Sequence, residues 1–143
     1  MQYWDTSTLL KLFVPEADSP LFAAHLSQSA ICISHVGQAE MLRAIARKEM
    51  EGAIPAMTAE TAFGKFLADV SAGRIVVLPF DTRIEIHFRT LVLQLHRQRP
   101  PVVVRTLDAI HLASAHLLPA DEVVTMDGHM RAGATALGLK LFP

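Results

Sequence analysis

Short apolar runs alternate along the chain with segments whose apolar residues recur at helical spacing. Tyr3-Trp4 begins a first strand. Leu9, Leu10, Leu12 and Phe13 suit a short helix that stops before Pro15, because the residue ahead of a proline is pushed out of the helical region. Pro20 to Ser27 suits a second helix, Ala30 to Ser34 a buried strand, and residues 35–51 a helix ending near Gly52. Ala59, Ala62, Phe63, Phe66, Leu67 and Val70 form one stripe at helical spacing, the clearest amphipathic helix of the chain, closed by Gly73. Arg74 to Pro79 carries the strand Ile75-Val76-Val77-Leu78. Thr82-Arg83-Ile84-Glu85 has the form of a capping box, opening a long helix with Ile84, Phe88, Leu91, Val92 and Leu95 on its core face. Beyond Pro100-Pro101, Thr106 is placed to cap a helix through Leu118. Glu122 to Thr125 is a strand, a last helix runs to Gly138, and Leu139 to Phe142 is a final strand.

Strands separated by helices predict crossover units, and hence an α/β fold with a mainly parallel sheet covered on both faces. Ligands of such sheets bind beyond the carboxyl ends of the strands. The breaker sites, Pro100-Pro101, Gly52 to Pro55 and Gly73, are too short to separate domains, so residues 1–143 read as one domain. Composition agrees: 51% hydrophobic and 19% charged residues describe a packed globule and exclude a disordered or fibrous chain. A net charge of −1, from 13 basic and 14 acidic side chains, excludes a globally basic nucleic-acid binder but not a local basic face. The single cysteine, Cys32, lies in the apolar run Ala30-Ile31-Cys32-Ile33 and reads as a small buried side chain. Met1 to Asp5 shows no basic region followed by an apolar stretch. No apolar run approaches the ~20 residues of a membrane helix. A soluble, cytoplasmic protein is expected.

The chemistry lies in four acids. Asp5 ends the first strand, Asp127 follows the strand Val123-Val124-Thr125, Asp108 lies in the first turn of the helix after Thr106, and Glu40 is inside the third helix. Each has an ordinary structural use. Asp5 and Asp127 suit helix caps, Asp108 complements a helix dipole, and Glu40 can pair with Arg43. Together they are different, because carboxylates converging on one crevice repel one another. No lysine or arginine adjoins Asp5, Asp108 or Asp127 in sequence. A hard divalent cation, Mg²⁺ or Mn²⁺, is the economical counter-charge, since it takes oxygen ligands and keeps several waters. The seven histidines and one cysteine show no zinc spacing. Such a site suits phosphodiester hydrolysis, in which the cation holds a phosphate oxygen and activates water. Setting the four acids aside turns the net charge from −1 to +3, a mildly basic surround compatible with a polyanion.

At these residues the chain resembles a known family. Asp5-Thr6-Ser7-Thr8-Leu9-Leu10-Lys11-Leu12 resembles the opening motif of PIN-domain ribonucleases, and Glu40 in Ser34-His35-Val36-Gly37-Gln38-Ala39-Glu40 their second acid. Arg105-Thr106-Leu107-Asp108-Ala109-Ile110-His111-Leu112-Ala113 is very similar to the third block. Val124-Thr125-Met126-Asp127, with Ala136-Leu137-Gly138-Leu139, resembles the fourth block and the closing strand. The likeness runs in order over nearly the whole chain, and its length and acidic set resemble the VapC toxins of bacterial type II toxin–antitoxin modules. It implies a three-layer α/β/α sandwich with five parallel strands ordered 3-2-1-4-5. It also implies Mg²⁺- or Mn²⁺-dependent RNA cleavage, a homodimer, and a cognate antitoxin that covers the site.

On this reading Asp5 and Asp108 ligate the metal directly, while Glu40 and Asp127 complete the site, as ligands through water or by orienting the attacking water. Thr6, Ser7 and Thr125 either donate hydroxyl hydrogen bonds to the carboxylates or serve as ordinary caps. Glu40 falls with Arg43 and Arg47 at the edge of an apolar stripe of Ala39, Leu42, Ala46 and Met50. Arg43 and Arg47 are either phosphate contacts or solvated charge, and Arg105 either a phosphate contact or a structural ion pair. His111 reads as a core histidine bonded to a backbone group. His96, Arg97, Arg99 and Arg105 form the densest basic patch, and Phe63, Phe66 and Val70 read as core or dimer contact.

Two other classes compete, a second kind of enzyme and a non-catalytic binding module that is either receiver-like or a silent nuclease fold. An aspartate-nucleophile phosphatase needs a second Asp two residues after the first, where this chain has Ser7. A receiver-like module needs a late lysine, and Lys140 lies inside the last strand. A catalytically silent PIN-like binding module keeps the fold alone. A dinucleotide-binding domain is disfavoured because no G-x-G-x-x-G follows the first strand.

Overall fold

A computed structural model describes residues 1–26, 30–118 and 120–143. Its strands are β1 (Gln2–Trp4), β2 (Ile31–Ser34), β3 (Ile75–Leu78), β4 (Glu122–Val124) and β5 (Leu141–Phe142). They pair in parallel in the order β3-β2-β1-β4-β5, as expected. The helices are α1 (Thr6–Leu10), α2 (Ser19–His25), α3 (His35–Met50), α4 (Ala59–Ser71), α5 (Thr82–His96), α6 (Thr106–Leu117) and α7 (Gly128–Ala136). The expected end of the second helix at Ser27 lies outside the described residues.

The period of two along each strand divides the core into two layers. Tyr3, Cys32 and Val123 face one side, where they pack with Leu91 and Leu95 of α5, Leu112 of α6 and Met130 of α7. Trp4, Ile31, Ile33 and Val124 face the other, with Leu9 of α1, Phe22 of α2, Met41 and Ile45 of α3 and Phe66 of α4. Cys32 is fully buried, and burial pushes its thiol up to about 12. This is the inert cysteine that its apolar neighbours predict. Among the described residues, no helix is long and apolar enough to cross a membrane.

Several expected details are corrected. The long helix α5 is capped by Asp81, not Thr82: Asp81 Oδ1 accepts the backbone N–H groups of Arg83 and Ile84 at 2.9 and 3.2 Å. Arg105, not Thr106, holds the cap position of α6. The final strand begins at Leu141 and β4 ends at Val124. Helix α3 is rotated from its expected orientation. It buries Gly37, Met41 and Ile45, while Leu42 and Met50 of the expected core stripe are exposed. The cause is Gly37: a Cβ there would stand 2.5 Å from Ile33 Cγ1, so the glycine lets the helix settle against β2 on that side.

Strand order reverses at β1, which is flanked by β2 and β4. The crevice of an open parallel sheet lies beyond the carboxyl ends of strands at such a reversal. Asp5 directly follows β1 there.

Candidate functional site

The four acids line one cavity of about 500 Å³ at this edge, with Arg43, Arg47, Lys48 and Arg105 along its walls. A second cavity, of about 600 Å³, lies elsewhere; it is mostly apolar, lined by Leu12, Phe13, Leu26 and Ile75, and gathers no acid cluster.

Asp5 holds the cap position of α1 through its backbone alone, its carbonyl accepting from Thr8 N at 3.1 Å and Leu9 N at 2.9 Å. The carboxylate is spared for the cavity. Its Oδ2 accepts from Ser7 Oγ at 2.8 Å and Thr125 Oγ1 at 3.1 Å. Thr125 Oγ1 in turn accepts the backbone N–H of Asp127 at 3.1 Å, tying the loops after β1 and β4 together.

Glu40 does not pair with Arg43. Its Oε2 accepts from Thr6 Oγ1 at 2.6 Å and from His111 Nε2 at 2.9 Å. Partial burial alone would raise the Glu40 carboxyl. The bonds from His111 and Thr6, reinforced by the nearby charge of Arg105, instead hold it below the ordinary carboxylate range. His111 is 2% exposed. With Nε2–H directed at Glu40, Nδ1 accepts from Tyr3 Oη at 2.6 Å, and Ser34 Oγ stands 3.2 Å away. The Tyr3 oxygen also accepts the Ser34 backbone N–H at 3.1 Å. Burial drives the Tyr3 hydroxyl far above its ordinary range, so it stays a neutral donor. His111 is therefore bonded to side chains and not to a backbone group. The run Ser34–Tyr3–His111–Glu40 is the part of the site that sequence reading misses. Its signal is faint: a Tyr two residues before Asp5 and a His three residues after Asp108.

Asp127 caps α7, its Oδ1 accepting from His129 N at 2.8 Å and Met130 N at 3.0 Å. Its Oδ2 accepts from Arg105 Nη2 at 2.6 Å. Burial raises its carboxyl, but the Met130 and His129 backbone bonds, then the Arg105 charge, leave it lowered. Asp108 accepts from Arg105 Nε at 2.7 Å on Oδ2 and from Nη2 at 3.2 Å on Oδ1. The absence of basic neighbours in sequence thus misleads. Arg105 compensates two of the four acids and turns into the site, apart from its sequence companions His96, Arg97 and Arg99.

Lys11 and Lys48 on the same wall are engaged by Glu16, at 2.5 and 2.6 Å. Arg43 is exposed and forms no ion pair among the described residues.

Among the described residues, no three carboxylate or imidazole side chains stand close enough to share one metal ion as they are. The donor chemistry nevertheless fits a hard cation. All four acids offer oxygen, and no described residue hydrogen-bonds Asp5 Oδ1 or Glu40 Oε1. Asp108 and Asp127 are meanwhile drawn to Arg105.

A parallel sheet in this order with acids after β1 and β4, within α3 and at the start of α6 defines the PIN domain, and the chain belongs to that family: the PIN-domain model matches residues 3–135. The resemblance read from the acidic blocks is borne out. The chain is 32% identical over 140 residues to Ribonuclease VapC46 of Mycobacterium tuberculosis, covering 96% of this chain and 92% of the relative. Its fold is similar to the crystal structure of FitAcB from Neisseria gonorrhoeae, with a TM-score of 0.71 at 17% identity over 100% of this chain and 97% of that one. It is also similar to VapBC2 from Rickettsia felis, solved bound to a DNA fragment from their promoter. There the TM-score is 0.67 at 18% identity, over 99% and 98% of the two chains.

Proposed function

We propose that this protein is a Mg²⁺- or Mn²⁺-dependent endoribonuclease, the toxin of a type II toxin–antitoxin pair, acting in the cytoplasm as a homodimer and held in check by a cognate antitoxin. The observation that carries the reading is the meeting of Asp5, Glu40, Asp108 and Asp127, from four separated segments, on one cavity walled by basic side chains. The family membership and the ribonuclease name of the 32% identical relative support it.

In this reading Asp5 and Asp108 hold the cation, with Glu40 and Asp127 completing its surroundings. The bound cation supplies charge for a phosphate oxygen and lowers the pKa of water. Ser7 and Thr125 fix the Asp5 carboxylate, so that its second oxygen faces the cavity. Thr6 and His111 fix Glu40 in the same way and keep it ionised, so that Glu40 Oε1 accepts a hydrogen bond from the attacking water and orients it. Arg43 and Arg105 bind phosphates of the RNA strand. The phosphatase alternative loses ground further, because the hydroxyl of Ser7 is spent on Asp5 and offers no general acid.

The test is incubation of the purified protein with a broad RNA panel and Mn²⁺, beside EDTA and Asp5→Asn controls. Cleavage that both controls abolish supports the reading. Intact RNA, with the strand still bound, would make the protein a silent PIN-like binding module.

A further inference from the structure

Arg105 stands where a counter-charge is needed. Its guanidinium spans Asp108, at 2.7 and 3.2 Å, and Asp127, at 2.6 Å. These are two acids from different helix starts, joined by no other side chain among the described residues. A planar fork can do this; an ammonium, being a point charge, cannot grip both so well. The backbone of Arg105 is anchored at the cap of α6, where its N–H meets Asp108 Oδ2 at 3.3 Å. The side chain is held only through these carboxylates among the described residues, and it is 60% exposed, against 10% for that of Asp108. The carboxylate is thus buried and the cation open to water. Exposed ion pairs are weak, because water re-solvates the departing charge. A divalent ion entering among the four carboxylates brings twice the charge in a smaller volume.

We propose that Arg105 is a built-in surrogate cation, which competes with the divalent ion for Asp108 and Asp127 and, once displaced, takes the phosphate of the incoming strand. The proposal rests on the divalent-cation and phosphodiester reading of this site. In the metal-free protein Arg105 limits carboxylate repulsion. Metal entry turns it outward along the wall that carries Arg43 and Arg47, and so couples loading of the ion to readiness for a polyanion.

The experiment uses the full chain with Mn²⁺ alone, its free concentration read by electron paramagnetic resonance. Arg105→Ala is expected to bind Mn²⁺ about three- to tenfold more tightly than the wild type. Arg105→Lys, which keeps the charge but loses the fork, is expected to fall between them. A circular-dichroism melt confirms that each variant is folded. At saturating Mn²⁺, Arg105→Ala is expected to raise KM for an RNA substrate several-fold with a smaller change in kcat. Equal or weaker Mn²⁺ binding by folded Arg105→Ala, with the wild type binding normally, overturns the competition while leaving the nuclease reading intact. An unchanged KM overturns the phosphate half. No Mn²⁺ binding by wild type or variant overturns both this proposal and the metal reading beneath it.

Discussion

His111 Nε2 donates to Glu40 Oε2 at 2.9 Å while the other nitrogen of the same ring meets Tyr3 Oη at 2.6 Å, so a buried imidazole links the floor of the sheet to a carboxylate of the site. The ring has no room to turn without breaking both bonds. In this geometry it holds the Glu40 carboxylate in place.

Removing the ring strands polar groups at both ends. His111→Ala is expected to cost about 2–4 kcal/mol, from the cavity and from the Tyr3 hydroxyl left without its partner. Tyr3→Phe is expected to cost about 1–2 kcal/mol, because the buried Ser34 N–H loses its acceptor as well. The double variant should be less destabilised than the two costs added, since it leaves no hydroxyl seeking a ring. Urea denaturation of the four proteins reads this coupling. Strict additivity would show that the chain Tyr3–His111 carries no shared energy.

Asp127 serves two masters, and two substitutions separate them. Oδ1 caps α7 and Oδ2 faces Arg105 and the cavity. Asparagine caps about as well as aspartate, whereas alanine costs a helix about 1 kcal/mol. Asp127→Asn is therefore expected to keep its stability while losing most RNA cleavage, and Asp127→Ala to lose both. Thermal melts beside cleavage assays decide. If Asp127→Asn cleaves RNA like the wild type, Asp127 is only a cap.

The layered α/β fold is legible in the sequence because its signals are local. The apolar runs Tyr3-Trp4 and Val123-Val124, the stripe through Phe66, and punctuation at Pro100-Pro101 each act over a few residues. The four acids stand at recognisable places beside such signals. What the sequence hides is long-range. Arg105 meets Asp127 across 22 positions and His111 meets Glu40 across 71, and no local pattern announces either pair. The orientation of α3 is hidden for a subtler reason. Ala39, Leu42, Ala46 and Met50 form as plausible a stripe as Met41 and Ile45, and the choice falls to a steric contact with β2. Capping fails similarly at Thr82, where an acid one residue earlier takes the N–H groups first.

That contact makes two glycines respond in opposite ways to one substitution. Within a helix, alanine is better than glycine by about 1 kcal/mol when nothing else changes. Gly64, inside α4, has open space around its missing Cβ, so Gly64→Ala is expected to stabilise by about 0.5–1 kcal/mol. At Gly37 a Cβ would meet Ile33 Cγ1 at 2.5 Å, Ile33 Cδ1 at 2.6 Å and His111 Cε1 at 3.1 Å. Ile33 is fully buried and has nowhere to go. Overpacking of about 1–3 kcal/mol outweighs the helical gain, and Gly37→Ala is expected to destabilise. Because the strain also presses on His111, RNA cleavage should fall with it. Melts of the two variants side by side test the sign of each.

Glu16 supplies the pH dependence on the basic wall. It binds Lys11 at 2.5 Å and Lys48 at 2.6 Å, and Lys11 also reaches Asp18 at 2.7 Å. The Lys11 and Lys48 hydrogen bonds, against a smaller opposing effect of burial, lower the Glu16 carboxyl from its ordinary value. A carboxyl lowered in the folded state binds fewer protons there than in the unfolded chain. Its stabilisation is therefore fully present above the unfolded value, near pH ~4.3, and is lost as pH falls from there through the lowered folded value. Glu16→Gln should cost about 1 kcal/mol at pH 7, discounted for partial exposure, and nothing at the acid end of that window. Denaturation midpoints of the two proteins should accordingly converge as pH falls below about 4. Curves that stay parallel down to pH ~3 would remove Glu16 as their cause. Because Lys11 and Lys48 line the cavity, the same substitution removes one negative charge from that wall and frees Lys48, while Asp18 still holds Lys11, and Glu16→Gln is expected to tighten RNA binding at neutral pH, most clearly at low salt.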